Sequence, residues 1–159
     1  MVWAAIWMDG RTDLHIINEF RDKKSNSMTP ETYIETLKRH LLPIYEPGDM
    51  FQQENTSIHK AKDTTSSFEE HGIWVIEWPP YSPDLNPIEH SWVLLKRSLI
   101  KNHPDLKDLK VNKENRALLC QWLREAWDAV DQAKIRHLIL SMRRRITAVV
   151  KAKGWNTKY

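Results

Sequence analysis

Apolar positions in the first half of the chain occur as short runs separated by turn residues, a pattern typical of strands mixed with helices. Residues 2–8 and 14–17 are apolar runs on either side of Asp9 and Gly10, which predicts a β-hairpin. Thr29 followed by Pro30 predicts a helix start, because Thr caps N-terminal N–H groups and Pro fits the first helical position. This half of the chain therefore predicts an α/β fold with a mixed sheet.

The next predicted elements are, in chain order, a turn at 47–49, a strand over 50–55, a helix over 60–71 and a strand over 73–78. Four prolines between positions 79 and 87 then predict a rigid loop, since each fixes φ and lacks an N–H donor. Asn86 and Pro87 predict the start of another helix, with Trp92, Leu95 and Leu99 on its buried face. The rigid loop thus joins a strand to a helix.

The last third of the chain shows the apolar repeat of helices. It predicts a helix over 113–130 and helical segments over 135–139 and 142–150, with interruptions near Asp131 and Ser141 and an end at Gly154. We therefore predict one domain in two parts, an α/β core over residues 1–103 and a helical, basic C-terminal extension over residues 104–159.

Composition indicates a globular protein with 41% hydrophobic residues among 159. The one cysteine, Cys120, excludes an internal disulfide and fits a reducing, intracellular compartment. Residues 1–8 lack the pattern of a signal peptide, and no run is long enough to cross a bilayer, so no membrane partner is predicted.

Basic residues accumulate near the C-terminus, although the net charge of the chain is only +3. The basic segment comprises Arg143, Arg144, Arg145, Lys151 and Lys153. Such a run is either a solvated helix face or a surface that contacts DNA phosphates, and the sequence leaves both interpretations open.

Glu89 is the candidate functional carboxylate on the helix that follows the proline loop. It lies three residues after Asn86, which is the spacing of a capping box, where the carboxylate only accepts a bond from the cap N–H. A carboxylate on the first turn after a rigid loop can instead serve as a metal ligand. Spacing alone does not separate the two roles.

The run from Trp78 to Trp92 contains Trp-Pro-Pro and then Ser-Pro-Asp-Leu-Asn-Pro-Ile-Glu. It resembles the signature that closes the catalytic domain of Tc/mariner-type DNA transposases, in which Glu89 matches the third metal-binding acid. The resemblance implies a ribonuclease H-like fold with carboxylates that hold divalent metals, Mg²⁺ or Mn²⁺. It also implies DNA as a partner, a homodimer or a complex with a full-length transposase, and a nuclear location.

Gln53, Glu54 and Asn55, followed by His59, resemble the family's second-acid motif, in which Asp normally stands at the position of Glu54. The 34 residues from 55 to 88 that separate Glu54 from Glu89 fit the family's interval. The extra methylene of Glu54 moves the carboxylate by roughly an ångström, whereas a catalytic site tolerates about 0.5 Å of misplacement. The resemblance therefore implies a large loss of metal-dependent activity.

The family's first acid lies on a strand that precedes the one matched by residues 2–8, so this chain is expected to begin after it. That expectation implies a sheet without its first strand and with two unpaired strand edges. Asp9 and Asp13 are predicted to be structural and not to replace the acid. Four residues are predicted to support the remaining acids: Asn55, His59, Asp84 and Asn86.

The leading hypothesis is a transposase domain for metal-dependent DNA cleavage and strand transfer, with Glu54 and Glu89 as metal ligands and with defective catalysis in this chain. The alternative is a non-enzymatic DNA-binding or protein-interaction module derived from a transposase. The ending from Lys153 to Tyr159 resembles fungal members of the family. A zinc site is not predicted, because the histidines and the cysteine show no short paired spacing.

Overall fold

The computed structural model describes residues 1–17, 28–80, 82–110, 112–155 and 157. Of the sequence motifs, Tyr81, Asn156, Lys158 and Tyr159 lie outside the described residues. The chain forms two compact units, one from Met1 with Phe20–Ser82 and one from Val2–Glu19 with Pro83–Tyr159. They are called the first and second unit below. The division predicted at residue 103 stays a prediction.

The described elements are strands β1 to β6 and helices α1 to α5. In chain order they are β1 Val2–Trp3, β2 Ile6–Trp7, β3 Gly10–Arg11, β4 His15–Ile16, α1 Pro30–His40, β5 Met50–Phe51, α2 Lys62–Glu70, β6 Trp74–Val75, α3 Pro87–Asn102, α4 Lys113–Asp128 and α5 Gln132–Lys151. Short 3₁₀ turns cover Leu42–Ile44, Pro83–Leu85 and Pro104–Asp108.

In the first unit, α1 and α2 pack on each other beside the parallel pair of β5 and β6. Phe68 of α2 is buried and its ring lies 6.1 Å from that of Phe51 on β5. Both strands are shorter than predicted, because the last ladder bond runs from the Ile76 N–H to the Phe51 carbonyl. Beyond it, the Asn55 side chain replaces the main chain as donor.

Helix boundaries in the first unit follow their sequence signals closely. Thr29 caps α1, since its Oγ1 accepts a hydrogen bond from the Thr32 N–H at 3.3 Å. The second helix is Lys62–Glu70, two residues shorter at its start and one at its end than predicted. Gly72, with φ of +64°, follows it in the left-handed conformation that favours glycine after a helix.

The predicted β-hairpin is present in the second unit, divided into two antiparallel pairs. β1 pairs with β4 and β2 pairs with β3. Between them, Thr12 interrupts the ladder because its Oγ1 accepts the Ala5 N–H at 2.9 Å. The turn lies one residue earlier than predicted, and Gly10 pairs with Trp7, whose indole would overlap any side chain at Gly10.

The helices of the second unit share one core with the hairpin. Trp127 and Ile135 are completely buried, and Leu95 and Leu99 of α3 pack in the same cluster. The predicted buried face of α3 is thereby confirmed. The remaining members of the cluster are Ala4, Leu14, Ala126 and Val130.

One predicted interruption is wrong, because α5 continues without a break through Ser141. The hydroxyl of Ser141 donates to the Leu138 carbonyl at 2.6 Å, so the polar side chain is satisfied inside the helix. Asp131 caps the helix, accepting the Ala133 N–H at 2.8 Å. Among the described residues, no helix is long and apolar enough to cross a membrane.

Candidate active site

Glu54 follows β5, and both of its sequence neighbours are held by groups of the first unit. The hydroxyl of Tyr33, a residue only 1% exposed, donates to Gln53 Oε1 at 2.6 Å. Asn55 Nδ2 donates to the carbonyl of Trp78. The Glu54 side chain itself is exposed. The main chain is therefore fixed on both sides of a carboxylate that solvent and dissolved ions can reach.

His59 adds a third support to this segment. Its Nδ1 lies 2.6 Å from the Glu54 carbonyl oxygen, and its ring lies 4.5 Å from that of Tyr33. Burial lowers the pKa of His59 below the ordinary 6.5, an effect partly offset by the bond to the Glu54 carbonyl and by the Glu54 charge. The imidazole is thus neutral near pH 7 and donates from Nδ1, because a carbonyl can only accept.

Glu89 is the third residue of α3 and is half-buried. The cap residue Asn86 accepts the Ile88 N–H on its Oδ1 at 3.3 Å, and its own N–H donates to the Pro83 carbonyl at 3.0 Å. In a capping box, the carboxylate would be the acceptor for that N–H. The Asn86 N–H thus has a main-chain acceptor in the 3₁₀ turn.

Asp84 and His90, on either side of Asn86 and Glu89, contact the same arginine of α5. Arg145 Nη1 donates to the Asp84 carbonyl at 2.9 Å and lies 3.2 Å from each ring nitrogen of His90. Burial and then the positive charge of Arg145 lower the pKa of His90, while a bond to the Asn86 main chain and the charge of Asp84 oppose the shift. His90 is therefore neutral near pH 7.

The predicted basic segment divides into exposed and buried members. Arg143, Arg144, Lys151 and Lys153 are exposed, whereas Arg145 is only 5% exposed. The guanidinium of Arg145 is occupied inside the second unit, and the DNA contacts predicted for the basic segment stay a prediction. The sequence did not distinguish Arg145 from the neighbouring arginines, because ten residues after Ile135 it lies roughly 80° away from that buried residue around the helix.

Tyr33 is a second residue whose part in the candidate site the sequence did not indicate. Its ring is buried in α1. Its hydroxyl partner, Gln53, lies twenty residues further along the chain. No local pattern specifies that contact, because it depends on how α1 packs beside β5.

The donor chemistry of the two acids fits a divalent cation. Carboxylate oxygens are the ligands that Mg²⁺ prefers, and Mg²⁺ sites often use one or two carboxylates with water and phosphate oxygens. Glu54 is exposed and Glu89 is half-buried, so solvent reaches both segments. Across the described residues, no group of three or more His, Cys, Asp or Glu side chains converges to hold a metal ion.

Comparison with protein families identifies the class. The family described as DDE superfamily endonuclease matches residues 2–110, which is more than half of the chain. The chain therefore belongs to the DDE superfamily endonucleases.

The relatives that the chain matches in sequence include Tc-type transposases. The chain is 34% identical over 159 residues to the Tc1 transposase of Caenorhabditis elegans, covering 100% of this chain and 54% of the relative. It is 29% identical to the Tc3 transposase of the same nematode, covering 97% of this chain and 44% of the relative. The chain thus spans about half the length of these relatives, and the predicted family is confirmed.

Solved structures confirm the predicted ribonuclease H-like fold class. The catalytic domain of Mos1 mariner transposase superposes with a TM-score of 0.72 at 18% identity, covering 99% of this chain and 74% of that one. The Mos1 catalytic domain solved with Raltegravir and Mg superposes with a TM-score of 0.71 at 19% identity, covering 99% of this chain and 75% of that one. At such identities the likeness shows the fold alone.

Proposed function

We propose that this chain is part of the catalytic domain of a Tc/mariner-type DNA transposase and acts in metal-dependent DNA cleavage and strand transfer. The observation that carries the proposal is the start of α3, where the Asn86 cap and the preceding 3₁₀ turn present the half-buried Glu89 on the first helical turn. Family membership supports the assignment.

Glu54 and Glu89 are the proposed metal ligands, with Mg²⁺ or Mn²⁺ as the ion. A bound divalent ion stabilises the negative charge that develops on phosphodiester oxygens. The chain's own residues keep the carboxylates in place: Tyr33, Asn55 and His59 hold the Glu54 segment, and Asn86 caps the helix that carries Glu89. The Mos1 catalytic domain has been solved with Mg and with Mn, which supports this choice of ion.

We further propose that the chain is a poor catalyst for two reasons: the family's first acid is expected to be absent, and Glu54 stands where the family's motif has Asp. The test is nicking of supercoiled plasmid DNA with Mg²⁺ or Mn²⁺. Glu54→Asp is expected to nick about ten- to a hundredfold faster than the wild type, since a 1 Å misplacement of a catalytic group can cost about a hundredfold in rate. Glu89→Gln added to Glu54→Asp serves as the control and is expected to abolish the gain.

Two results would contradict the catalytic proposal. One is the absence of metal-dependent nicking in both the wild type and Glu54→Asp at every metal concentration tried. The other is nicking that persists at the same rate in the Glu54→Asp, Glu89→Gln double variant, because the activity would then not depend on the proposed ligand.

A DNA-binding module without catalysis is the second candidate. It is favoured by the C-terminal charge, since residues 132–159 contain no Asp or Glu and Arg143, Arg144, Lys151 and Lys153 are exposed. We propose that these four side chains contact DNA phosphates and that the protein acts in the nucleus. The structure of the Mos1 strand transfer complex supports DNA as the partner. The homodimer or the complex with a full-length transposase stays a prediction.

Salt dependence of DNA binding tests this second candidate. Arg143→Gln with Arg144→Gln is expected to weaken binding and to lower the slope of log K against log salt by about 2, because each lost phosphate contact removes about one counterion. Glu89→Gln is expected to leave that slope unchanged. A slope that is equal in the double-arginine variant and the wild type would exclude these residues as phosphate contacts.

A further inference from the structure

Arg145 is a buried charged residue that the proposed function does not use. It lies in the middle of α5 and is only 5% exposed, unlike the adjacent Arg143 and Arg144. Burying a charged group is unfavourable unless hydrogen bonds replace those it makes with water. The groups that replace them therefore indicate what this arginine holds in place.

Two of the groups around the guanidinium belong to the segment that presents Glu89. The Asp84 carbonyl, which accepts from Nη1 at 2.9 Å, lies five residues before Glu89 in the 3₁₀ turn. The His90 ring, with both nitrogens 3.2 Å from Nη1, belongs to the residue directly after Glu89. A single nitrogen of Arg145 thus contacts the chain on both sides of the acid.

The orientation of the guanidinium is itself fixed from within α5. Arg145 Nε donates to Ser141 Oγ at 2.9 Å, and the Ser141 hydroxyl donates in turn to the Leu138 carbonyl at 2.6 Å. Ser141 is 5% exposed. The Ser141 hydroxyl therefore accepts one hydrogen bond and donates another. Because the guanidinium is planar, its contacts with Ser141, the Asp84 carbonyl and the His90 ring together fix its orientation.

The residues next to Glu89 in the segment that Arg145 contacts are buried, whereas Glu89 itself is half-buried. Leu85 and Asn86 are each 7% exposed, and Ser91 is completely buried with its hydroxyl 3.4 Å from the Pro87 carbonyl. A change in the turn at Asp84 is transmitted through these packed residues to the first turn of α3, since buried side chains leave little room for adjustment.

We propose that Arg145 is a positioning residue for Glu89: its guanidinium joins the Asp84 carbonyl to the His90 ring and thereby sets the conformation of the turn that carries the acid. This inference rests on the proposed function, because it assigns Arg145 to the geometry of a metal-binding carboxylate. It gives α5 a part in the candidate site itself. Lysine would not replace it, since an ammonium group lacks the planar fork that makes these contacts together.

The test compares Arg145→Met with Arg144→Met in the full chain, so that both variants lose the same charge from neighbouring positions. Amide hydrogen exchange is measured by NMR. Arg145→Met is expected to lower the protection of residues 86–90 by about tenfold or more, the size of effect expected from losing a hydrogen bond to a charged group. Arg145→Lys is expected to fall between it and the wild type. Arg144→Met is expected to leave this protection unchanged.

A Mn²⁺ titration of the same variants, followed by paramagnetic broadening of the amide signals next to Glu89, separates positioning from general loss of stability. Arg145→Met is expected to need about tenfold more Mn²⁺ than the wild type for equal broadening, as for other residues that orient metal ligands. Arg144→Met is expected to need the same Mn²⁺ concentration as the wild type.

Unchanged protection of residues 86–90 in Arg145→Met would overturn the inference. So would an equal loss of protection throughout α3, α4 and α5, because Arg145 would then stabilise the unit as a whole. Failure of the proposed function has a different signature, in which the wild type shows no Mn²⁺ broadening next to Glu89. The exchange comparison still decides in that case whether Arg145 sets the turn.

Discussion

The segments around Glu54 and Glu89 each carry one predicted metal ligand, and they are held in different ways. Glu54 follows a two-residue strand, and its neighbours are fixed by individual hydrogen bonds from Tyr33 and Asn55. Glu89 lies on a helix of sixteen residues whose apolar face is packed in a core containing Trp127. Specific polar contacts fix the first segment, and hydrophobic packing with a buried arginine fixes the second.

This difference indicates how each segment responds to mutation. Truncation of a core side chain lowers the free energy of unfolding strongly, because the transfer free energy of the removed atoms is lost and a cavity remains. A single hydrogen bond contributes only about 0.5–1.5 kcal/mol to stability. Mutations in the hydrophobic core should therefore strongly destabilise the unit that contains Glu89. Loss of one hydrogen bond near Glu54 should mainly change the local structure, with a smaller effect on the free energy of unfolding.

The largest effect is expected for Trp127→Ala in the second unit. Trp127 is 0% exposed, lies 5.2 Å from the Trp92 ring, and donates Nε1–H to the Thr12 carbonyl at 2.8 Å. The free energy of unfolding, measured by urea denaturation, should fall by about 3–5 kcal/mol. Trp155→Ala, at a position 79% exposed, is the matched control and should change it by less than about 0.5 kcal/mol. Equal losses would show that the helical core does not hold this unit.

Asn86→Ala should have the next largest effect. The variant removes the cap of α3 at a position 7% exposed, so the free energy of unfolding should fall by about 1–2 kcal/mol. Asn112→Ala is the control: Asn112 caps α4 in an exposed position and accepts the Asn115 N–H at 2.7 Å. A smaller loss, nearer 0.5–1 kcal/mol, is expected there. A greater loss for Asn112→Ala would contradict the importance of the α3 start.

Tyr33→Phe tests the Glu54 segment. The variant keeps the buried ring and removes the bond to Gln53, so the free energy of unfolding should fall by about 1 kcal/mol. Amide exchange at Gln53 and Glu54 should accelerate. Tyr45→Phe removes a hydroxyl that donates to the Asp49 carbonyl at 2.6 Å and accepts the Trp74 N–H at 2.8 Å, and it should leave exchange at Gln53 unchanged. No difference between the two variants at Gln53 and Glu54 would mean that Tyr33 does not fix this segment.

The smallest expected effect on the free energy of unfolding comes from histidine protonation. Each of the two segments contains one such histidine, His59 or His90. The pKa values of His59 and His90 are lowered from the ordinary 6.5, by burial first in each case, so the unfolded chain binds more protons than the folded one. The free energy of unfolding should therefore fall as pH decreases from about 6.5 through the folded-state pKa values. An NMR titration should place both pKa values below 6.5, and Arg145→Met should raise that of His90 alone. A pKa above 6.5 for either residue would contradict the assigned burial.

The sequence predicted the helix starts well, because a cap followed by proline is a local signal, as at Thr29-Pro30 and Asn86-Pro87. It overestimated the length of the strands near Glu54, because main-chain pairing there ends where the Asn55 side chain donates to the Trp78 carbonyl. It identified both acids from motifs, and their metal-binding role stays a prediction. It could not assign Arg145, since consecutive arginines look alike until the helix phase decides which one is buried.

We propose that Glu89 is a metal ligand and not only a helix-start residue, and Glu89→Gln separates the two roles. Gln can still serve at this position of a capping box, but it has no charge to offer a metal. The direct measurement is Mn²⁺ broadening of the amide signals next to residue 89, made together with a thermal melt. We expect a nearly unchanged melting temperature and loss of the broadening. Broadening that is equal in Glu89→Gln and the wild type would contradict it.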